Sequence, residues 1–391
     1  MSRLARRISG VLTQLFYLER QVDPYFRDAF DALLQRPLVE LVQAAIRARR
    51  PTEPLGIAEE RCLPDEDATA DAIVAEMSSF LRQHHRPGHY ERAGNTKTYG
   101  VVRGSFDVLP DLPDELRVGV FAEPRSYRAW VRFAGPGPLS PPDMRDNGIL
   151  SIGIKLMGVD GPKLIDHEKA TQDFTGISAP TFTTPNVVEN LKLQRQLARG
   201  TPILYFVDPR DSRYLDGLMQ GLYARVHHSP LEVPYWSCAA YLFGPGRAVQ
   251  YKVRPRSAAR TPIPRHPGPN YLREAMARTL AEREVVFDFM VQFQTDPRRM
   301  PIEDASIMWP ERLSPFRPVA TLTLPVQRFD SPAQLAFAGN LSYNPWHAIP
   351  EHRPLGNQNR ARKQIYLRLS ELRQAMNDQP HVEPTGDEVF A

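Results

Sequence analysis

The chain has 391 residues, of which 42% are hydrophobic and 24% charged, with a formal net charge of +4. These proportions belong to a globular protein large enough for one extensive core or two domains. The charge is small for the length and no Lys/Arg-rich run is interleaved with aromatics, which argues against a nucleic-acid partner. No stretch of about 18 apolar residues occurs, so no transmembrane helix is expected.

The 38 prolines predict many fixed turns and long loops rather than a helical bundle. Cys62 and Cys238 lie far apart and in no metal-ligand spacing, which suggests a reducing compartment and a cytoplasmic location. Residues 1–20 pair a basic start with a short apolar run. Gln14 interrupts that run and no small-residue cleavage site follows. An amphipathic helix is therefore expected, lying on the protein, on a partner subunit or peripherally on a membrane.

Leu15, Leu18, Val22, Phe26, Phe30, Leu33, Leu34, Leu38, Leu41 and Val42 recur at helical intervals, with Pro24 and Pro37 expected to start new segments. Residues 65–83 predict a further helix, acidic at its start and carrying Ile73, Val74, Met77 and Phe80 on one face. From Tyr99 the texture changes. Strands are predicted at 100–108, 117–121, 127–133, 149–157, 163–165, 236–243, 248–253, 285–294 and 319–326. Helices are predicted at 186–199 and 212–227. Short strands without βαβ alternation predict an antiparallel barrel or sandwich. The fold class is α+β, read as one domain: an N-terminal helical arm 1–90, a β-barrel core with inserted helices 91–330, and a wrapping segment with C-terminal helix 331–391.

Near the C-terminus, RARKQIYLRLSELR at 360–373 reads as a helix. Arg362 and Tyr366 are four residues apart and Arg373 is seven further on, so all three share one side. A cation beside a phenol favours the phenolate, and a phenolate is one of the few protein axial ligands of haem iron. Taken alone, the spacing fits an exposed tyrosine on a basic helix better.

Four segments change that weighting. ERAGNTKTYGVVRGSFDV at 91–108 carries Arg92, Lys97 and the strand Gly104-Ser105-Phe106-Asp107-Val108. Next come Trp130-Val131-Arg132-Phe133-Ala134, then Asp146-Asn147-Gly148 with Lys155-Leu156-Met157, and finally Arg362-x-x-x-Tyr366 with Arg373. In this order, over 87–376, they resemble the catalase family. The resemblance implies a catalase-like antiparallel β-barrel with N-terminal helices, a wrapping arm and C-terminal helices. It implies haem b as cofactor, Tyr366 as the iron ligand and Arg362 as its partner. Arg92, Arg132 and Arg373 would neutralise the propionates, for which guanidinium is suited, and Phe182 would line the haem pocket. The bland reading of Arg92 and Arg132 is surface salt-bridging. Against it, Arg132 sits in an aromatic-rich strand, where an unpaired Arg is costly.

The chain departs from the family on the other face of the haem. Where the resemblance expects a histidine stands Asn95, and an amide cannot shuttle a proton at neutral pH. The family's second polar group falls near Ile177, with Pro180 and Phe182 still matched. Around Asn95 lie Thr96, Lys97, Thr98 and Tyr99, and His84, His85 and His89 are close enough in sequence to fold back toward it.

The expectation is a haem-dependent oxidoreductase acting on an organic or fatty-acid hydroperoxide rather than an efficient dismutase of hydrogen peroxide, with Asn95, Tyr366 and Arg362 as catalytic candidates. The alternatives are a haem-dependent lyase, isomerase or dehydratase, and a non-catalytic haem carrier, sensor or membrane-surface protein. The resemblance also implies a homo-oligomer joined through N-terminal arms. Two clusters, 309–313 and 344–347, read as docking of the wrapping arm on the barrel, with Trp346 or His347 near the cofactor as a second reading. Asp166, His167, Glu168 and Asp173 match no metal motif and read as a polar loop.

Overall fold

The computed structural model describes residues 3–52, 55–146, 148–208 and 210–390; Asn147 lies outside them. Helices α1 (Arg3–Phe30) and α2 (Arg36–Arg49) are joined without a break by a π-helical turn at Asp31–Gln35. Pro24 does not start a segment as expected: α1 runs through it, at the cost of one intrahelical bond. Pro37 does stand in the first turn of α2, where its missing N–H is no loss. Helix α3 (Glu66–His84) opens on acidic residues and buries Ile73, Val74 and Leu81.

Nine strands follow in one sheet: β1 (Thr98–Val108), β2 (Ser126–Ala134), β3 (Ser151–Met157), β4 (Thr171–Ile177), β5 (Tyr235–Trp236), β6 (Tyr241–Leu242), β7 (Ala248–Pro255), β8 (Val285–Phe293) and β9 (Arg317–Leu324). Neighbours pair in the order β5-β4-β3-β2-β1-β9-β8-β7-β6, all antiparallel, and an extra β5–β7 pairing closes eight of them into a barrel with β6 attached to β7. Helices α4 (Val187–Ala198), α5 (Leu204–Val207) and α6 (Tyr214–Tyr223) lie between β4 and β5. α7 (Tyr271–Glu282) lies between β7 and β8, and α8 (Pro332–Asn340) and α9 (Asn357–Met376) follow β9.

The barrel interior is filled by side chains. Phe106, Phe121, Phe174, Phe243, Phe289 and Tyr251 are buried there, with the Phe174 and Phe289 rings 4.8 Å apart. Such a core leaves no room for a ligand inside the barrel. A second apolar layer forms outside it, where Ile73 and Leu81 of α3 meet Val187 of α4 and Ala361, Ile365 and Leu369 of α9.

Several expected elements differ. Residues 119–121 form a 3₁₀ turn rather than a strand, because Gly119 adopts φ 56° and turns the chain over His352. Residues 163–165 form no strand. The run 236–243 splits into β5 and β6 at Cys238, whose φ of 58° breaks the extended backbone. Strand β4 and helices α7 and α8 were not predicted.

Helix α9 is fixed at its start by a cluster of buried polar side chains. Asn357 bonds Glu303, Gln358 bonds Thr184, and Asn359 donates to the carbonyl of Ala240 at 2.8 Å. Arg360 pairs with Glu60, Glu66 and Glu303 at 2.6, 2.6 and 3.0 Å. Gly356 makes this entrance at φ 86°, with an added Cβ only 2.5 Å from the Ile302 carbonyl oxygen. Gly356→Ala should therefore destabilise the protein by about 1–3 kcal/mol from backbone strain alone, read as a lower denaturation midpoint; an unchanged midpoint would refute this account.

Candidate functional site

Helix α9 faces the barrel wall formed by β2, β3 and β4, and between them lies a cavity of about 450 Å³. Helices α3 and α4 close its other sides through Ile73, Met77, Leu193 and Leu197. On β3 it is lined by Gly153, where an added Cβ would come within 2.8 Å of the Tyr343 ring, so this position lets the ring close against the wall.

The seven residues named from the sequence as catalytic or haem-binding candidates line this one cavity: Arg92, Asn95, Arg132, Phe182, Arg362, Tyr366 and Arg373. Ile177 joins them. Lys97, Thr96, Thr98 and Tyr99 do not line it. Lys97 turns the other way, pairing with Asp143 at 2.6 Å and donating to the carbonyls of Pro141 and Pro269. The reason is local. Asn95 sits in a bend at φ 45°, a conformation Asn tolerates, so the strand alternation that would align it with Lys97 and Tyr99 begins only after it. None of the described lining residues is His, Lys, Asp or Glu. His84 instead stacks on Phe80 and bonds its backbone carbonyl.

Three of the four guanidiniums, those of buried Arg132 and Arg373 and of partly buried Arg92, have no carboxylate partner among the described residues. Arg132 donates to the Asn95 carbonyl at 2.7 Å and to Thr98 Oγ1 at 2.8 Å. Arg92 donates to the carbonyls of Ala338 and Leu341. Arg373 donates to the carbonyls of Asn340 and Leu341 at 3.0 and 3.2 Å, and its Nε has no partner. Burial depresses all three pKa values, that of Arg92 to about 10. Repulsion from Arg92 depresses Arg132 and Arg373 further. Carbonyl oxygens offer dipoles but no negative charge, so the three cations face the cavity uncompensated.

Arg362 is held differently. It donates to Asn359 Oδ1 at 2.9 Å and to Thr175 Oγ1 of β4 at 2.7 Å, tying α9 to the wall. Its guanidinium lies 4.8 Å from the centre of the Tyr366 ring and 5.7 Å from that of Phe182. Burial opposes its charge, but the phenols of Tyr366 and Tyr241 outweigh that and raise its pKa. It remains a cation at any physiological pH.

The segment read as a polar loop is instead part of a buried charged cluster. Lys155 of β3 is enclosed by Glu168, by Asp173 of β4 at 2.8 Å, and by His347. Burial works against the Lys155 ammonium, yet the two carboxylates overcome it and hold its pKa up. His347 lies in this cluster and does not line the cavity, and neither does Trp346, whose Nε1 donates to the Asn359 carbonyl at 2.6 Å. Tyr343, from the same wrapping arm, does line it. Sequence reasoning missed Tyr343 and the amides Asn190, Gln194 and Gln358; only their proximity to Pro/Trp clusters or helix caps offered a signal.

With this geometry the chain can be set beside solved structures. It is similar to a fungal catalase at 15% identity and a TM-score of 0.59, over 87% of this chain and 69% of that one. It is similar to a bacterial catalase at 13% identity and a TM-score of 0.56, over 87% and 70%. Catalase A from Saccharomyces cerevisiae matches at 13% identity and a TM-score of 0.53, over 88% and 72%. No family model matches the sequence, and no curated protein does. The chain thus has a catalase-like fold, as its strand order and helices also indicate.

Removing one member of a buried ion cluster leaves its partners uncompensated, typically at about 3–5 kcal/mol. Lys155→Met should destabilise the protein by that order, measured by chemical denaturation, whereas the triple change Lys155→Met, Glu168→Gln, Asp173→Asn should recover part of the loss. A Lys155→Met protein of native stability would contradict the assignment.

Proposed function

We propose that the cavity binds haem b and that the protein is a haem-dependent oxidoreductase acting on an apolar organic hydroperoxide, such as that of a fatty acid. The observation that carries this reading is the trio of carboxylate-free guanidiniums, buried Arg132 and Arg373 with partly buried Arg92, sharing a cavity with the Arg362–Tyr366 pair. A planar dianion with an iron at its centre suits that set of donors, and an unpartnered Arg373 Nε is a buried donor awaiting an acceptor. The catalase-like fold agrees with it.

Tyr366 would hold the iron through its phenolic oxygen, and the three arginines would hold the propionates. When bound, haem would supply a redox-active iron able to act on a peroxide O–O bond. Arg362 places a positive charge 4.8 Å from the centre of the Tyr366 ring, where it would stand beside the oxygen that holds the metal. Asn95 can donate or accept a hydrogen bond and so orient a hydroperoxyl group, but no lining residue among those described can carry a proton between two oxygens. Ile149, Ile152, Ile177, Leu193 and Leu197 give the cavity apolar walls. The lack of a proton carrier equally favours a second reading, a haem-dependent lyase, isomerase or dehydratase that rearranges the same hydroperoxides.

Absorption spectra and a hydroperoxide panel test the proposal. Tyr366→Phe should lose haem or the phenolate charge-transfer band; unchanged haem binding would exclude Tyr366 as ligand. Asn95→His should raise hydrogen peroxide turnover, by about 10²-fold or more if a positioned general base is what is missing. Hydrogen peroxide turnover by the natural protein equal to that of efficient catalases would refute the role given to Asn95.

A further inference from the structure

On the far side of Lys155 from the barrel, three potential metal ligands converge. His167, Glu168 and His381 each offer one ligand atom, and these atoms all lie within 4.8 Å of one another. Glu168 Oε1 stands 3.5 Å from His381 Nε2. Two ligands about 2.1 Å from a tetrahedral ion stand roughly 3.4 Å apart. Glu168 is fully buried, and its Oε1 has no hydrogen-bond partner, because its other oxygen takes both Lys155 and Thr171. His167 Nε2 and His381 Nε2 are without hydrogen-bond partners too.

The His167 ring is set for this task by the groups behind it. Asp173 Oδ2 accepts from His347 Nδ1 at 2.7 Å. His347 Nε2 is then left to accept from His167 Nδ1, also at 2.7 Å, so the lone pair of His167 resides on Nε2. Such a carboxylate–histidine relay is how metal-bound imidazoles are oriented. Gln374 reaches His381 Nδ1 at 3.4 Å, at the limit of hydrogen-bond length, and does not fix that ring's tautomer. The two imidazoles stack at 3.9 Å with 23° between their planes, so the half-exposed His381 must rotate to bring both lone pairs onto one point. The second acidic group here, Glu168 with Asp173 and His347, already encloses the Lys155 ammonium and is not a candidate.

We propose that His167 Nε2, His381 Nε2 and Glu168 Oε1 bind a divalent transition metal, zinc-like in its preference for nitrogen and oxygen ligands, with the fourth position open to water. The ligands come from two distant parts of the chain. His167 and Glu168 precede β4, while His381 lies in the tail after α9, which continues along the barrel. There Glu383 accepts from the backbone N–H groups of Lys169 and Ala170, and Glu388 accepts from Trp130 Nε1 at 2.8 Å. A bound ion would fasten this tail to the barrel. None of its ligands lines the proposed haem cavity, so the two readings stand or fall separately.

The test is titration of the full chain, freed of metal by chelation, with Co²⁺ and then Zn²⁺. One equivalent of Co²⁺ should give ligand-field absorption bands of a low-coordinate site, displaced by Zn²⁺, and Zn²⁺ should raise Tm and slow proteolysis within 377–390. His167→Gln and His381→Gln should each weaken binding at least 10-fold, while His266→Gln, at an exposed position, should not. Absence of bands in the natural protein, or equal Co²⁺ affinity in the His167→Gln/His381→Gln double variant, would overturn the site. Neither result depends on the haem reading, because none of the three ligands lines the proposed haem cavity, and the Co²⁺ bands are read on protein free of haem.

Discussion

The arrangement depends on three positive charges, two buried and one partly buried, to which the fold gives no carboxylate partner among the described residues. Arg92 comes from the segment before β1, Arg132 from β2 and Arg373 from the end of α9, and the backbone carbonyls at 338–341 draw two of them together. Placing guanidiniums near one another in a low-dielectric wall is unfavourable in every state except one with an anion among them. The fold therefore stores at this spot a demand for negative charge. The burial of α9 against α3 and α4, and the ion cluster at its start, supply the stability that makes such a demand tolerable.

That cluster also explains how a helix can serve as a precise mount. Asn357, Gln358, Asn359 and Arg360 reach four separate segments, at Glu303, Thr184, Ala240 and Glu60, which hold the first turn against sliding or rotation. Arg362, two residues further, then locks onto Thr175 of β4. The direction of Tyr366 follows from both constraints. The wrapping arm adds a third, as Trp346 caps the same turn from outside and Tyr343 meets the wall at Gly153.

Much of this was legible in the chain. The helical spacing of Arg362, Tyr366 and Arg373 put one face together before any fold was known, and strand-like alternation located β1, β2, β7, β8 and β9. What could not be read were features whose meaning depends on distant partners. β4 begins with Thr171, Gln172 and Asp173, which look like a loop until Lys155 and His347 are brought against them. Lys97 sits two residues from Asn95 yet serves Asp143, because a bend at Asn95 cancels the strand alternation. Helix α7 did carry a readable signal, Leu272, Met276 and Leu280 at helical spacing, obscured by the Pro/Gly-rich run before it.

The aromatic filling of the barrel has a further consequence. Since Phe106, Phe121, Phe174 and Phe289 occupy the interior, the barrel behaves as a solid anvil against which the cavity is shaped only from one side. Its dimensions can then change from the outer side, for instance through α3 and α4 by exchanging Met77, Leu193 or Leu197, without disturbing the pairing of any strand. A scaffold divided in this way separates the part that holds the strands together from the part that can reshape the cavity.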